Sequence, residues 1–114
     1  MGVRPVAVTG LGVVSAIGNC RSEFRRALFE GRHGFREITL ADTSELQFRK
    51  GAEIQGLDLE TPFDPGSREL LDRFARLFLI AARQAVAESG LSRGELTEAA
   101  VITGSSLGGQ TSED

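Results

Sequence analysis

The sequence predicts an α/β protein, and three features carry that expectation. Val3, Val6, Ala7 and Val8 form a short β-prone run ending at Thr9-Gly10, the composition of a strand buried on both faces. A second such run, Ala99-Ala100-Val101-Ile102-Thr103, opens into Gly104-Ser105-Ser106-Leu107-Gly108-Gly109. Between them, residues 67–88 repeat apolar side chains with the 3.6-residue period of a helix. A strand that runs through a glycine turn toward a helix start is a ligand-facing arrangement in α/β proteins.

Taken in order, the loop over residues 10–19 leads into a first helix. Ser22 is a suitable N-cap for the stretch 23–30, and Gly31 stops it as a C′ glycine. Phe24 and Leu28, with Phe29 beside them, are placed inward. Residues 32–66 are polar and broken by Gly and Pro, with Phe48, Ile54 and Leu57 as small apolar anchors for short strands or turns, the pattern of a surface excursion. The helix over 67–88 sets Leu70, Phe74, Leu77, Phe78, Ala81, Ala85 and Val86 on one face, and Gly90 ends it. Between residues 74 and 87 only Arg76, Arg83 and Gln84 are polar, so most of the helix circumference requires cover. Two short helices and a few strands cannot supply it, which places this helix inside a larger body, its alanines allowing close approach. Glu69 with Arg73 and Asp72 with Arg76 are acid-first pairs four residues apart, worth ~0.3 kcal/mol each to a helix; they read as structural.

At 114 residues and 40% hydrophobic content the chain has the size and apolar material of one globular domain. Sixteen acids against thirteen bases leave a net charge of -3, which offers no basic field for nucleic acid or anionic lipid. A single cysteine rules out an internal disulfide and points to a reducing compartment, the cytoplasm. The uncharged run 5–20 is not a signal peptide or a span, because Pro5, Gly10, Gly12 and Gly18 deny it a helix and it is too short to cross a bilayer. Val6 stands where a myristoylation signal has Ser or Thr.

Two glycine loops invite a phosphate-binding reading. Gly10-Leu11-Gly12-Val13-Val14-Ser15 follows a strand but has Ser15 for the third glycine of a dinucleotide fingerprint, and no second strand ending in an acid follows about twenty residues on. Gly104 to Thr111 fits the P-loop spacing except that Gln110 replaces the lysine; without that ammonium the β- and γ-phosphates lose their principal countercharge. A tight turn requiring several glycines explains the same residues. Cys20, between Asn19 and Arg21, has no histidine near it in sequence and reads as a small residue before a helix, although Arg21 would lower its pKa somewhat. His33 reads as a turn residue, and no cluster of His, Cys, Asp or Glu has metal-ligand spacing. No cofactor is expected.

The ordered series Val6-Ala7-Val8-Thr9-Gly10-Leu11-Gly12-Val13-Val14-Ser15 with Ile17-Gly18-Asn19, then Asp72-Arg73-Phe74-Ala75, Ala87-Glu88-Ser89-Gly90-Leu91 and Gly104-Ser105-Ser106-Leu107-Gly108-Gly109 resembles the opening of the β-ketoacyl-acyl-carrier-protein synthases. The resemblance runs the whole length of the chain and covers the first part of such an enzyme. It implies a thiolase-like layered αβαβα fold, of which residues 1–114 are part of the N-terminal half, one partial domain truncated at its C-terminal end. It also implies a homodimer and an acyl-carrier protein, bearing phosphopantetheine-linked acyl groups, as partner. The implied reaction is chain elongation by decarboxylative Claisen condensation of acyl- and malonyl-acyl-carrier protein, in fatty acid or polyketide synthesis. In the family a cysteine takes the acyl group, two histidines assist, and backbone amides hold the oxyanion.

None of those catalytic residues carries over: Cys20 and His33 do not match them, so the chain alone is expected to be inactive. Leu107 does match a family position, the apolar residue of the glycine loop bordering the acyl pocket, and is the expected substrate contact. There is one departure. Family members often carry several basic residues before the Asp-Arg-Phe motif to meet the acidic carrier protein, whereas only Arg68 is basic in 65–71, which puts ordinary carrier-protein docking in question. A non-catalytic chain-length-factor-type partner of a ketosynthase is therefore the second reading, and a small nucleotide-binding domain built on the two glycine loops is the third.

Overall fold

The computed structural model of the chain describes residues 2–109. In chain order it holds α1 (Arg21–Phe29), β1 (Arg36–Glu37), β2 (Lys50–Gly51), α2 (Pro65–Leu70), α3 (Arg73–Ser89) and α4 (Arg93–Thr97). The N-cap of α1 is Cys20 rather than Ser22, because the Phe24 amide already donates to the Cys20 carbonyl at 3.0 Å. Glu23 reaches back to accept from the Asn19 amide at 2.8 Å and satisfies that donor. The glycine stop is as expected. Gly31 has φ 64°, its amide donates to the Leu28 carbonyl at 3.2 Å, and the Arg32 amide donates to the Ala27 carbonyl at 2.9 Å, the paired bonds of a Schellman motif. The inward residue of α1 is Ala27, whereas Leu28 and Phe29 are exposed.

The single helix expected over 67–88 is two helices. Leu71 takes extended angles (φ -102°, ψ 117°), and Asp72 caps a new helix by accepting from the Ala75 amide at 2.7 Å. Aspartate is a strong N-cap, and here that local bond competes successfully with continuing the helix. Arg76 then folds back across the break, donating to the Leu71 carbonyl at 2.9 Å, the Arg68 carbonyl at 2.6 Å and Glu60 at 2.9 Å. The break also separates Glu69 from Arg73, and no ion pair joins them among the described residues. α4, which the hydrophobic pattern does not reveal, rests on a capping box: Ser92 accepts from the Glu95 amide while Glu95 accepts from the Ser92 amide at 2.8 Å.

The two expected buried strands are not formed as such. Residues 3–9 and 99–103 belong to no strand, and Val3 (94% exposed) and Ile102 (91%) lie open to solvent. A strand exists only through its ladder, and neither run has a partner strand among the described residues. The sheet that is present is the two-residue antiparallel pair β1 and β2, with Arg36 opposite Gly51 and Glu37 opposite Lys50. Glu53 supports it by accepting from the Thr39 and Leu40 amides at 3.0 and 2.8 Å. In the excursion before α2, Phe48 is exposed, and the apolar anchor is Phe63, only 5% exposed, with the Arg83 guanidinium 4.8 Å from its ring centre.

Helix α3 organises the rest. The backbone at Gly10 and Gly12 lies so close to it that a Cβ on Gly12 would run into the Ala81 carbonyl, and one on Gly10 into the Ala85 carbonyl. Glycine on one side and alanine on the other are what such an approach requires. Polar side chains one turn apart complete the contact: Glu88 accepts from the Leu11 amide at 2.7 Å, and Gln84 accepts from the Val13 amide at 3.0 Å while donating to the Asn19 carbonyl at 2.7 Å. Arg21 of α1 pairs with Glu88, tying both helices to the loop.

Two outcomes follow from this packing. Gly12→Ala should lower the urea midpoint by an amount worth ~1–3 kcal/mol, because the obstructing atom is backbone and cannot rotate away; an unchanged midpoint would show that the loop does not lie on α3. With Val3, Val6, Val8, Val101 and Ile102 exposed, the chain alone should bind an apolar fluorescent dye at neutral pH. A dye-silent monomer with a sharp cooperative melt would contradict that.

Candidate functional site

The second glycine loop and the start of α3 border an apolar groove of about 720 Å³. Phe74, Phe78 and Leu79 of α3 form one wall, Leu71 closes an end, and residues 103–108 form the other wall. The loop is held to itself by the Gly108 amide, which donates to Ser105 Oγ at 2.9 Å. It is held to the helix at Gly108, where an added Cβ would come within 2.8 Å of Phe74 Cζ. Leu107 lines this groove and is 69% exposed, at its lip rather than in a packed core. A loss of packing energy typical of a buried leucine is therefore not expected there. The aromatic wall was missed by the sequence reading as a site, although Phe74 stands in the Asp72-Arg73-Phe74 run already singled out.

The first glycine loop is differently disposed. Its Leu11 and Val13 amides, the groups a pyrophosphate would need, are occupied by Glu88 and Gln84. The carboxylate among them would also repel an anion. Moreover, a turn closed by paired Ser15 and Gly18 hydrogen bonds separates the loop from α1, so no helix N-terminus follows directly. This geometry argues against dinucleotide binding. Gln110 and Thr111 of the P-loop-like run lie outside the described residues.

Cys20 and His33 are not brought to one place. Cys20 borders a depression shared with Leu11, Arg21 and Gln84, whereas His33 borders another with Ser15, Arg32 and Arg36. A hydrogen bond from the Ser22 hydroxyl, 3.2 Å away, and then one from the Glu23 amide hold the Cys20 thiol pKa below its ordinary value. Arg21, the expected cause, is instead paired with Glu88. No group of three or more potential ligands could hold a metal ion among the described residues. No helix there is long and apolar enough to cross a membrane.

The described chain thus carries an apolar groove beside its second glycine loop, while its first glycine loop is consumed in helix packing. The chain belongs to the β-ketoacyl synthase family: residues 3–114 match its N-terminal domain. It is 35% identical over 108 residues to 3-oxoacyl-[acyl-carrier-protein] synthase 2 of Synechocystis sp., covering 93% of this chain and 26% of that protein. To the synthase of the same name from Coxiella burnetii it is 37% identical over 108 residues, with the same 93% and 26% coverage. To the putative polyketide beta-ketoacyl synthase 1 of Streptomyces cyaneus it is 40% identical over 110 residues, covering 95% of this chain and 26% of that one. The chain thus spans about a quarter of the length of these relatives.

Since the Ser22 hydroxyl is the largest cause of the lowered Cys20 pKa, Ser22→Ala should raise it toward the ordinary thiol value. The pH profile of iodoacetamide alkylation should then move to higher pH, with less thiolate at any given pH. A profile that stays in place would remove Ser22 as the cause.

Proposed function

We propose that the chain is the N-terminal part of a 3-oxoacyl-acyl-carrier-protein synthase, an acyltransferase that condenses an acyl thioester with malonyl-acyl-carrier protein, releasing carbon dioxide, in fatty acid or polyketide synthesis. The observation that carries this reading is the apolar groove in which Leu107 faces Phe74 and Phe78, placed at the glycine loop of a family whose named relatives are acyl-carrier-protein synthases. An alkyl chain laid there would remove apolar surface from water on both partners. The cysteine and histidines of the reaction would come from sequence beyond Asp114, with Cys20 and His33 taking no part. In the complete protein the runs 3–9 and 99–103 would gain their ladder partners as strands of a layered thiolase-like αβαβα body, working as a homodimer in the cytoplasm and meeting its carrier protein there.

A second reading, a non-catalytic chain-length-factor-type partner, is favoured by one observation. Arg68, the basic residue left before Asp72, donates to Glu60 at 3.2 Å and so spends its charge within the chain. Acyl-enzyme formation by the complete protein separates the two, since a partner without the nucleophile forms none.

The same assay tests Leu107. Leu107→Phe or Leu107→Trp should depress acyl-enzyme formation with long-chain carrier proteins by roughly 10-fold or more relative to short ones through steric overlap, and Leu107→Ala should relax the limit. Because Leu107 is exposed, stability should shift by no more than ~0.5 kcal/mol. Equal responses of both chain lengths to every substitution would make Leu107 a bystander.

A further inference from the structure

Phe74 stands where two grooves meet. The apolar groove beside Leu107 and a more polar one of about 460 Å³, bordered by Arg68, Glu69 and Asp72, share Leu71, Phe74, Ala75 and Gly108 as a common wall. A Cβ on Gly108 would lie 2.7 Å from Ser105 Oγ, 2.8 Å from Phe74 Cζ and 2.9 Å from Cε1, so the missing side chain is what lets both the Ser105 hydroxyl and the ring edge reach the loop backbone. The Gly108 amide in turn donates to Ser105 Oγ, which closes residues 105–108 into one turn. Phe74 itself is anchored, because it lies on the first turn of α3 beneath the Asp72 cap and beside the Arg76 bonds to the Arg68 and Leu71 carbonyls. Phe74 is 43% exposed.

We propose that Phe74 is a positioning residue: its ring, seated on Gly108, holds the 105–108 loop and thereby sets where Leu107 stands in the apolar groove. The inference rests on the reading of Leu107 as an acyl-chain contact. A helix end fixed by its cap and a self-bonded loop meet through one aromatic edge, so a change at either side is transmitted to Leu107.

The test uses Gly108→Ala and Phe74→Leu, singly and combined, in the complete protein. Two quantities are read: hydrogen exchange of the Gly108 amide, and the ratio of long- to short-chain acyl-enzyme formation. Each single change should speed Gly108 exchange by about tenfold and shift the ratio, since one crowds the seat and the other empties it. The combined variant, in which the shorter side chain removes the ring-edge clash with the new methyl group but not the one with Ser105 Oγ, should return both part of the way toward wild type. Effects that simply add in the combined variant would overturn the seat while leaving the Leu107 reading intact. Rescue in exchange, together with a ratio indifferent to Phe74, Gly108 and Leu107 alike, would uphold the seat and sink the acyl-pocket reading.

Discussion

The close approach of the Gly10 to Val13 backbone to the alanine strip of α3 is the contact on which the remaining structure depends. A side chain at Gly10 or Gly12 would meet helix backbone, so separation of the two elements is set by main-chain atoms and not by adjustable packing. At that separation the Gln84 and Glu88 side chains reach the Val13 and Leu11 amides and satisfy them. Each such bond contributes about 0.5–1.5 kcal/mol net, but leaving a desolvated amide unpaired would cost more, about 1–3 kcal/mol. Gln84 also holds the Asn19 carbonyl, and Glu88 pairs with Arg21. The entry into α1 is thus fixed by the same helix that fixes the loop.

The other end of α3 is held by different chemistry. Asp72 caps it, and Arg76 binds carbonyls of the preceding helix together with Glu60, which Arg68 also approaches. The ion pairs themselves are partly solvated, and pairs of that kind contribute ~0–1 kcal/mol. The two carbonyl bonds of Arg76 matter more, because they occupy acceptors that the end of α2 leaves without intrahelical partners. Beside them Phe63 supplies the burial, covered on one face by the Arg83 guanidinium, a cation–π contact worth about 0.5–1 kcal/mol at such a site. The start of α3 is therefore defined enough to orient Phe74 toward the glycine loop.

What the sequence made legible follows from range. Gly31 and Gly90 were readable as helix stops because a positive φ (64° and 69°) is a local demand that glycine meets. The break at residues 71–72 was hidden because apolar periodicity runs through it, while the deciding bond, Asp72 to the Ala75 amide, is a capping interaction that periodicity does not register. The same holds for α4, whose Ser92 and Glu95 form a recognisable capping-box pair in a stretch with little apolar content. The runs at 3–9 and 99–103 show the opposite failing: their composition specifies strands, but a strand's partner is non-local, and no partner lies among the described residues. In the site, Leu107 was named from its motif. The aromatic wall opposite it could not be, because Phe74 and Leu107 are brought together only by the path of the chain between them.

The two glycine loops differ in what their backbones have left to offer, and the proposed site lies at the second. In the first, amides at Leu11 and Val13 are taken by side chains of α3, and its half-buried glycines lie against that helix. Opening it to a ligand would sacrifice the bonds that position α1 and α3 together. In the second, glycine serves an aromatic edge rather than a helix backbone, the internal bond from Gly108 to Ser105 Oγ keeps the turn closed, and the neighbouring surface is an apolar groove instead of a packed helix. Displacing Leu107 there breaks no main-chain ladder and uncovers no charge. Glycine is thus used in two ways, to bring backbone against helix backbone at the first loop and backbone against a ring edge at the second.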